Sequence, residues 1–366
     1  MSTQLIDSLK NLSINKIKQK VKDIKSNLPL EERSTITYSK NFTLSLSNYC
    51  QNMCGYCYYN YKIPKINDEA NVILLENEQI QTLTTTALKY NCKEALIMSG
   101  EYPDIFKEVR SELKKRRYNR YIDFVVDICK YLLNFNILPH TNIGILTYSD
   151  LEKLKNYNAS MGLMLESTNK LLFEKGGVHE KSPGKDPKKR IQHIQDAGKL
   201  NIPFTTGLLL GIGENIVDRI RDLLLIRKIH EDYGHIQEVI IQNFVAKEGI
   251  TYKPKNMVSI EETLRTAGIA KIVFENEIAV QLPPNLIKGY EREALNFGVD
   301  DFGGISPFSI DYINPNNTWP QIDHLTHICN KEGYLLKERL PIYHKFINNN
   351  KFCPKNIKKR IDKIKL

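Results

Sequence analysis

The feature that most constrains this chain is an alternation. Short apolar runs recur eight times, separated by longer amphipathic segments. The runs are FTLSLS at 42–47, EALIMSG at 94–100, ILPHTNIG at 137–144 and ASMGLMLES at 159–167, followed by PFTTGLLLGIGE at 203–214, EVIIQNF at 238–244, IAVQLPPNL at 278–286 and FGVDDFGGIS at 297–306. Helical patterns such as RYIDFVVDICKYLLNF and VDRIRDLLLIRKIHEDY lie between most of them. Strands joined by helices return to the same end of a sheet, so the strands run parallel. Eight such units over roughly 260 residues predict an α/β chain folded as a (β/α)8 TIM-type barrel. A polar residue closes nearly every run: Asn48, Glu101, Asn142, Glu166, Glu214, Asn243, Asn285 and Asp301. Barrels of this kind carry their sites at the C-terminal ends of the strands. One polar end is ordinary loop chemistry; eight together predict a shared mouth.

The flanks read differently. Residues 1–34 are polar and mostly helical and form an N-terminal extension, residues 35–320 hold the barrel, and residues 321–366 form a basic helical tail packed on it. The net charge of +10 raises nucleic acid as a partner. The lysines are scattered, however, and the dense runs KEVRSELKKRRYNR and KFCPKNIKKRIDKIKL accompany no recognised nucleic-acid motif. A Lys-rich surface without nucleic-acid binding is the expectation. The start lacks an apolar signal core, and no run of eighteen apolar residues exists to span a membrane. Seven cysteines, three of them clustered, fit a reducing, cytoplasmic setting.

Those three are Cys50, Cys54 and Cys57, in the run SLSNYCQNMCGYCYY. Three thiolates can hold three irons of a [4Fe–4S] cluster and leave the fourth open. Zinc is the alternative, but structural zinc asks for a fourth ligand, and no second C-x2-C pair follows. Cys92, Cys129, Cys329 and Cys353 stand apart. The C-x3-C-x2-C spacing, with Tyr56 before the third thiol, resembles the radical S-adenosylmethionine (SAM) superfamily. Gly55 permits the tight turn between the second and third thiols. Tyr56, Tyr58 and Tyr59 can shield a cluster, although ordinary packing accounts equally for the last two.

The resemblance assigns further residues. Ser99-Gly100-Glu101 is similar to the superfamily's Gly-Gly-Glu edge, which receives the methionyl amine of SAM; Ser replaces the first Gly. Glu166 stands where a polar residue meets the SAM ribose, and Arg190 where a cation can pair with the SAM carboxylate. Gly207 to Glu214 resembles the segment that approaches adenine, which implicates Gly211, Gly213 and Glu214.

Longer segments narrow the family. ITYSKN, LPHTNIG, ASMGLMLES, GKDPKKR, IPFTTGLLLGIGE, YGHIQEVIIQNF, LPPNL and DFGGISP resemble the ring-closing subunit of 7,8-didemethyl-8-hydroxy-5-deazariboflavin synthase, from about Thr35 to Pro320. This enzyme belongs to coenzyme F-420 biosynthesis. The resemblance implies one [4Fe–4S] cluster, SAM, a reducing electron donor, and a sister radical SAM subunit that joins tyrosine's hydroxybenzyl part to a ribityl-diaminouracil. Ring closure with release of ammonia then gives the deazaflavin. Candidates for holding this small-molecule substrate are His140, Asn142, Gln242, Asn285, Asp300 and Asp301. Each is equally explained as a barrel-internal residue satisfied by backbone. His140 is a candidate proton acceptor or a structural residue, and Gly303-Gly304 reads as close packing at the barrel end. Anaerobic reconstitution is expected to load about four irons per chain; about eight would contradict a single-cluster protein.

Overall fold

The computed structural model describes residues 3–63, 71–254 and 257–364. Eight parallel strands close into a barrel: β1 (Thr35–Ser45), β2 (Glu94–Met98), β3 (Leu138–Asn142), β4 (Ser160–Gly162), β5 (Phe204–Leu210), β6 (Ile236–Asn243), β7 (Ala279–Gln281) and β8 (Asp301–Ile305). Closure comes from β1, which pairs in parallel with both β2 and β8. The crossovers include the helices Asn77–Lys89, Tyr121–Leu133, Tyr148–Lys155, Pro187–Lys199, Ile216–Tyr233 and Ile260–Phe274. The (β/α)8 barrel expected from the alternation is therefore the fold.

Strand period sets what faces where. In β1, Phe42 and Leu44 are fully buried among the apolar core residues, whereas Asn41 and Thr43 line the central cavity. Likewise β2 sends Ala95 and Ile97 to the core and Glu94, Leu96 and Met98 inward, and β6 sends Val239 and Ile241 to the core and Glu238, Ile240 and Gln242 inward. The interior face thus carries polar side chains among its apolar ones, where aliphatic layers usually fill such a barrel.

The two flanks pack near the N-terminal ends of β3, β4 and β8. The helix Ile14–Ser26, capped by Ser13, buries Ile17 and Val21. Its Lys25 donates to Val299 O at 3.1 Å and pairs with Asp300, which also pairs with Lys271 at 3.0 Å. Burial works to raise the Asp300 pKa, but Lys271 and Lys25 outweigh it and hold the carboxyl below its usual range. At the other flank, residues 321–366 are not wholly helical: β9 (Leu335–Glu338) joins the sheet parallel to the first residues of β1. Beyond it Leu340, Ile342, Phe346, Phe352 and Ile357 pack against Leu133, Leu138 and Ala159.

Arg339 follows β9 and enters the barrel. It grips Asp301 with two bonds, at 2.5 and 2.8 Å, and reaches Glu238 at 2.8 Å. Two buried carboxylates here depend on one guanidinium. Removing one partner from such a group leaves uncompensated charge. Arg339→Met is expected to cost about 3–5 kcal/mol, read as a lower urea midpoint at unchanged slope; a loss below about 1 kcal/mol would show that the Arg339 cluster does not hold the floor.

Candidate functional site

A cavity of about 370 Å³ runs from the cysteine loop at the mouth to Arg339 and Pro341 at the floor. All three clustered thiols line it. The loop that carries them is pinned on several sides. Gly55 N donates to Val178 O at 2.8 Å, Met53 N to Lys181 O at 3.0 Å, and Tyr252 N to Gly55 O at 2.8 Å. Tyr49 stacks on Tyr61 with ring centroids 4.1 Å apart. Cys50 Sγ accepts from the N–H groups of Glu101, at 3.2 Å, and Asn52, at 3.4 Å.

Burial pushes the Cys50 thiol up to about 11 and the Cys54 thiol up to about 12. Protein surroundings alone therefore keep both protonated, and a metal centre is what would draw the protons off. A single tetrahedral zinc needs its sulfurs within about 4 Å of one another. Among the described residues no three His, Cys, Asp or Glu side chains converge in that way. Three thiols that line one cavity supply the sulfur donors that the irons of a cluster take.

Glu101 ends the second strand unit, as expected, but its carboxylate is spoken for. Oε1 accepts from Gln51 at 2.7 Å and Asn52 at 3.0 Å, and Oε2 from the Ile145 N–H at 2.9 Å. It occupies the space a side chain on Gly184 would need, 1.4 Å from the ideal Cβ position. These bonds tie it to the cysteine loop and to Ile145, and it also lines the cavity. Ser99 and Gly100 line the cavity beside it, and a side chain on Gly100 would strike Tyr49 O.

Glu166 has φ +66, a conformation that turns its carboxylate back under the loop. It accepts from Tyr56 OH and from Lys185 Nζ at 2.5 Å, with His179 Nε2 at 3.3 Å and Arg190 Nη2 at 3.5 Å. Burial works to raise its pKa, but Lys185, Arg190 and His179 outweigh it and hold the carboxyl well below the usual range. Arg190 also donates to Met164 O and Gly184 O, at 2.7 and 3.1 Å. Lys185 and His179 were not among the sequence candidates. Lys185 lies in GKDPKKR, but nothing local distinguishes it from the lysines after it.

The third predicted SAM element departs from expectation. Gly211, Gly213 and Glu214 are absent from the cavity wall, where Leu209 stands instead. Gly211 and Gly213 have φ of +88 and +118, and Glu214 folds back to accept the N–H groups of Gly211 and Ile212 at 2.8 Å while pairing with Arg219 at 2.8 Å. The segment is a turn held by its own glutamate.

Of the substrate candidates, His140, Asn142 and Gln242 line the cavity. Asn285 does not: its amide donates to Asp311 and Asn317 O and fixes the 311–317 loop. Asp300 and Asp301 do not either. The strand begins at Asp301, after a turn at Gly298, so both residues lie at the N-terminal end rather than at the mouth. Asp300 ties the flanking helix down and Asp301 anchors Arg339.

Residues 44–226 match the family model "Radical SAM superfamily". The chain is 46% identical over 330 residues to the 7,8-didemethyl-8-hydroxy-5-deazariboflavin synthase of Methanococcus vannielii, covering 89% of this chain and 90% of that one. It is 43% identical over 334 residues to the synthase of the same name from Methanocaldococcus jannaschii, covering 90% of each. In fold it is similar to the crystal structure of HydG, a maturase of the [FeFe]-hydrogenase, with a TM-score of 0.74 over 93% of this chain and 73% of that one, at 16% identity. Methylornithine synthase (PylB) gives a TM-score of 0.67 over 91% and 93%, at 17% identity.

Glu166→Gln is expected to lower stability by about 3 kcal/mol, because Lys185 and Arg190 then face each other. Adding Lys185→Met should recover part of that loss in a double-mutant cycle. Purely additive losses would mean that the pair carries no coupling.

Proposed function

The chain belongs to the 7,8-didemethyl-8-hydroxy-5-deazariboflavin synthase family of radical SAM enzymes, and from that premise we propose which step it performs and with which residues. The substrate is 5-amino-5-(4-hydroxybenzyl)-6-(D-ribitylimino)-5,6-dihydrouracil. The product is 7,8-didemethyl-8-hydroxy-5-deazariboflavin, formed as the ring closes and ammonia leaves, with SAM consumed to methionine and 5′-deoxyadenosine. The observation that carries this reading is the close likeness to the synthases over nine-tenths of both chains, together with three thiols that line one cavity.

Cys50, Cys54 and Cys57 would hold the [4Fe–4S] cluster, and SAM would lie along Ser99, Gly100, Tyr56, Glu166, Arg190 and Leu209. Bound there, cluster and SAM supply the electron and the hydrogen-abstracting power that no side chain of this protein has. The chain's own part is positioning and shielding. Glu101 fixes the loop through Gln51 and Asn52. Tyr56 and Tyr59, both buried, close the cavity against water on the loop side. Lys185 and Arg190 are balanced by Glu166 and Glu101, so the site gains no free ion to quench or protonate an intermediate.

His140 is buried, and burial together with Arg339 pushes its pKa down to about 3. It is therefore neutral throughout the physiological range. The substrate would arrive from a sister radical SAM subunit and the electron from a separate reductant. Among the described residues no helix is long and apolar enough to cross a membrane.

The test is anaerobic incubation of the reconstituted protein with adduct, SAM and a reductant. Deazaflavin fluorescence should appear with one equivalent of 5′-deoxyadenosine per turnover. SAM cleavage without deazaflavin would place the chain at another step, and each of Cys50→Ala, Cys54→Ala and Cys57→Ala should abolish both products.

A further inference from the structure

The lower half of the barrel cavity has chemistry that the reaction at the mouth does not use. Polar side chains stand in its walls, where such barrels are usually packed with aliphatic ones. Glu94, at the level of Asn41, lies four residues below Met98 on β2, a depth of about 13 Å along the strand. Gly303 and Gly304 make this wall possible. A side chain on Gly304 would lie 2.1 Å from Asn41 Nδ2, and one on Gly303 would lie 2.0 Å from Gln281 Nε2. The glycine pair thus leaves room for two amides to stand at the cavity wall.

Those walls present hydrogen-bond acceptors without donors. Asn41 is 4% exposed, its side chain bonds Glu94, and no protein donor reaches its Oδ1. His140 Nδ1 lies 2.7 Å from Ser160 Oγ, and Ser160 gives its own proton to Pro341 O at 2.5 Å. His140 must therefore donate from Nδ1, which leaves Nε2 as a bare acceptor on the cavity side. Asn243, 5% exposed, repeats the pattern nearer the mouth: its Nδ2 donates to Leu286 O and its Oδ1 has no donor. Buried acceptors left unmatched are costly, so this wall is built for a guest that brings O–H groups.

The guest is uncharged. Arg339, the cation at the floor, is already matched by Asp301 and Glu238, with Tyr343 OH adding a bond to Glu238 at 2.9 Å. An anionic group arriving there would face Glu94 and Glu238, and Arg339, the cation that lines the floor among the described residues, is already engaged.

We propose that this lower chamber, walled by Asn41, Thr43, His140 and Gln281 and floored by Arg339, is a neutral polyol subsite. It takes the unphosphorylated ribityl chain of the substrate head-down, leaves the reacting rings at the cysteine loop, and excludes the chain's phosphate ester. This rests on the function proposed above and adds the orientation of the substrate and the source of its selectivity.

The test is anaerobic binding to reconstituted holoenzyme with SAM, followed by the fluorescence of three deazaflavins: the ribityl product, its terminal phosphate ester, and an analogue with methyl in place of ribityl. The ribityl compound should bind about tenfold or more tighter than either of the others. Asn41→Leu should erase its advantage over the methyl compound, with methyl binding retained. Thr43→Val, a milder change in the same wall, should reduce that advantage several-fold while the melting temperature stays near wild type. Equal binding of ribityl and methyl compounds by wild type would overturn the subsite, as would equal weakening of both by Asn41→Leu. Tighter binding of the phosphate ester would overturn its neutrality. Failure of all three to bind would instead overturn the function on which the subsite rests, and the subsite with it.

Discussion

The cysteine loop depends on one buried carboxylate. Glu101 accepts from Gln51 and Asn52 within the loop and from Ile145 beyond β3, while its own N–H points at Cys50 Sγ. Three separate stretches of chain meet at this side chain. A loop between a strand and the next helix is otherwise free to wander, and three thiols can share a cluster only if their positions are fixed beforehand. The room for the carboxylate comes from Gly144 and Gly184, whose side-chain positions it fills. The glutamate that ends the second strand unit therefore fixes the cysteine loop, beside Ser99 and Gly100 on the cavity wall.

Charge is handled in the same manner at both ends of the barrel. At the mouth, Lys185 and Arg190 surround Glu166; at the floor, Arg339 joins Asp301 and Glu238. The carboxylates are buried, Lys185 and Arg339 are partly so, and each group has an opposite charge beside it. Desolvated ions are tolerated only when their partners are fixed beside them. The result is a largely apolar cavity with polar groups set in its walls, which suits a neutral, hydroxyl-bearing guest and a reaction that must be kept from solvent.

Much of this was legible in the sequence because periodicity and spacing are local. The eight runs located the eight strands, and the cysteine spacing located the loop. The errors share a physical cause, which is register. The run at 297–306 contains both a turn and a strand, and only the left-handed Gly298 fixes the start of β8 at Asp301. A shift of a few residues moved Asp300 and Asp301 from the mouth to the floor. Glu214 was misplaced for a related reason, since a carboxylate two or three residues from free N–H groups caps its own turn before it meets a ligand. Lys185 and Arg339 carried no local signal. Their meaning comes from residues 19 and 38 positions away, Glu166 and Asp301, which only the closed barrel brings together.

On the reading proposed above, one continuous cavity joins a cluster-bearing loop at the mouth to a polyol chamber at the floor. An anaerobic crystal structure of the reconstituted protein with SAM and the ribityl deazaflavin tests it most directly. The account predicts a cluster on Cys50, Cys54 and Cys57, the rings beneath SAM, and the ribityl hydroxyls within hydrogen-bond distance of Asn41 Oδ1 and His140 Nε2. A ribityl chain directed out to solvent, with the lower chamber holding only water, would contradict it.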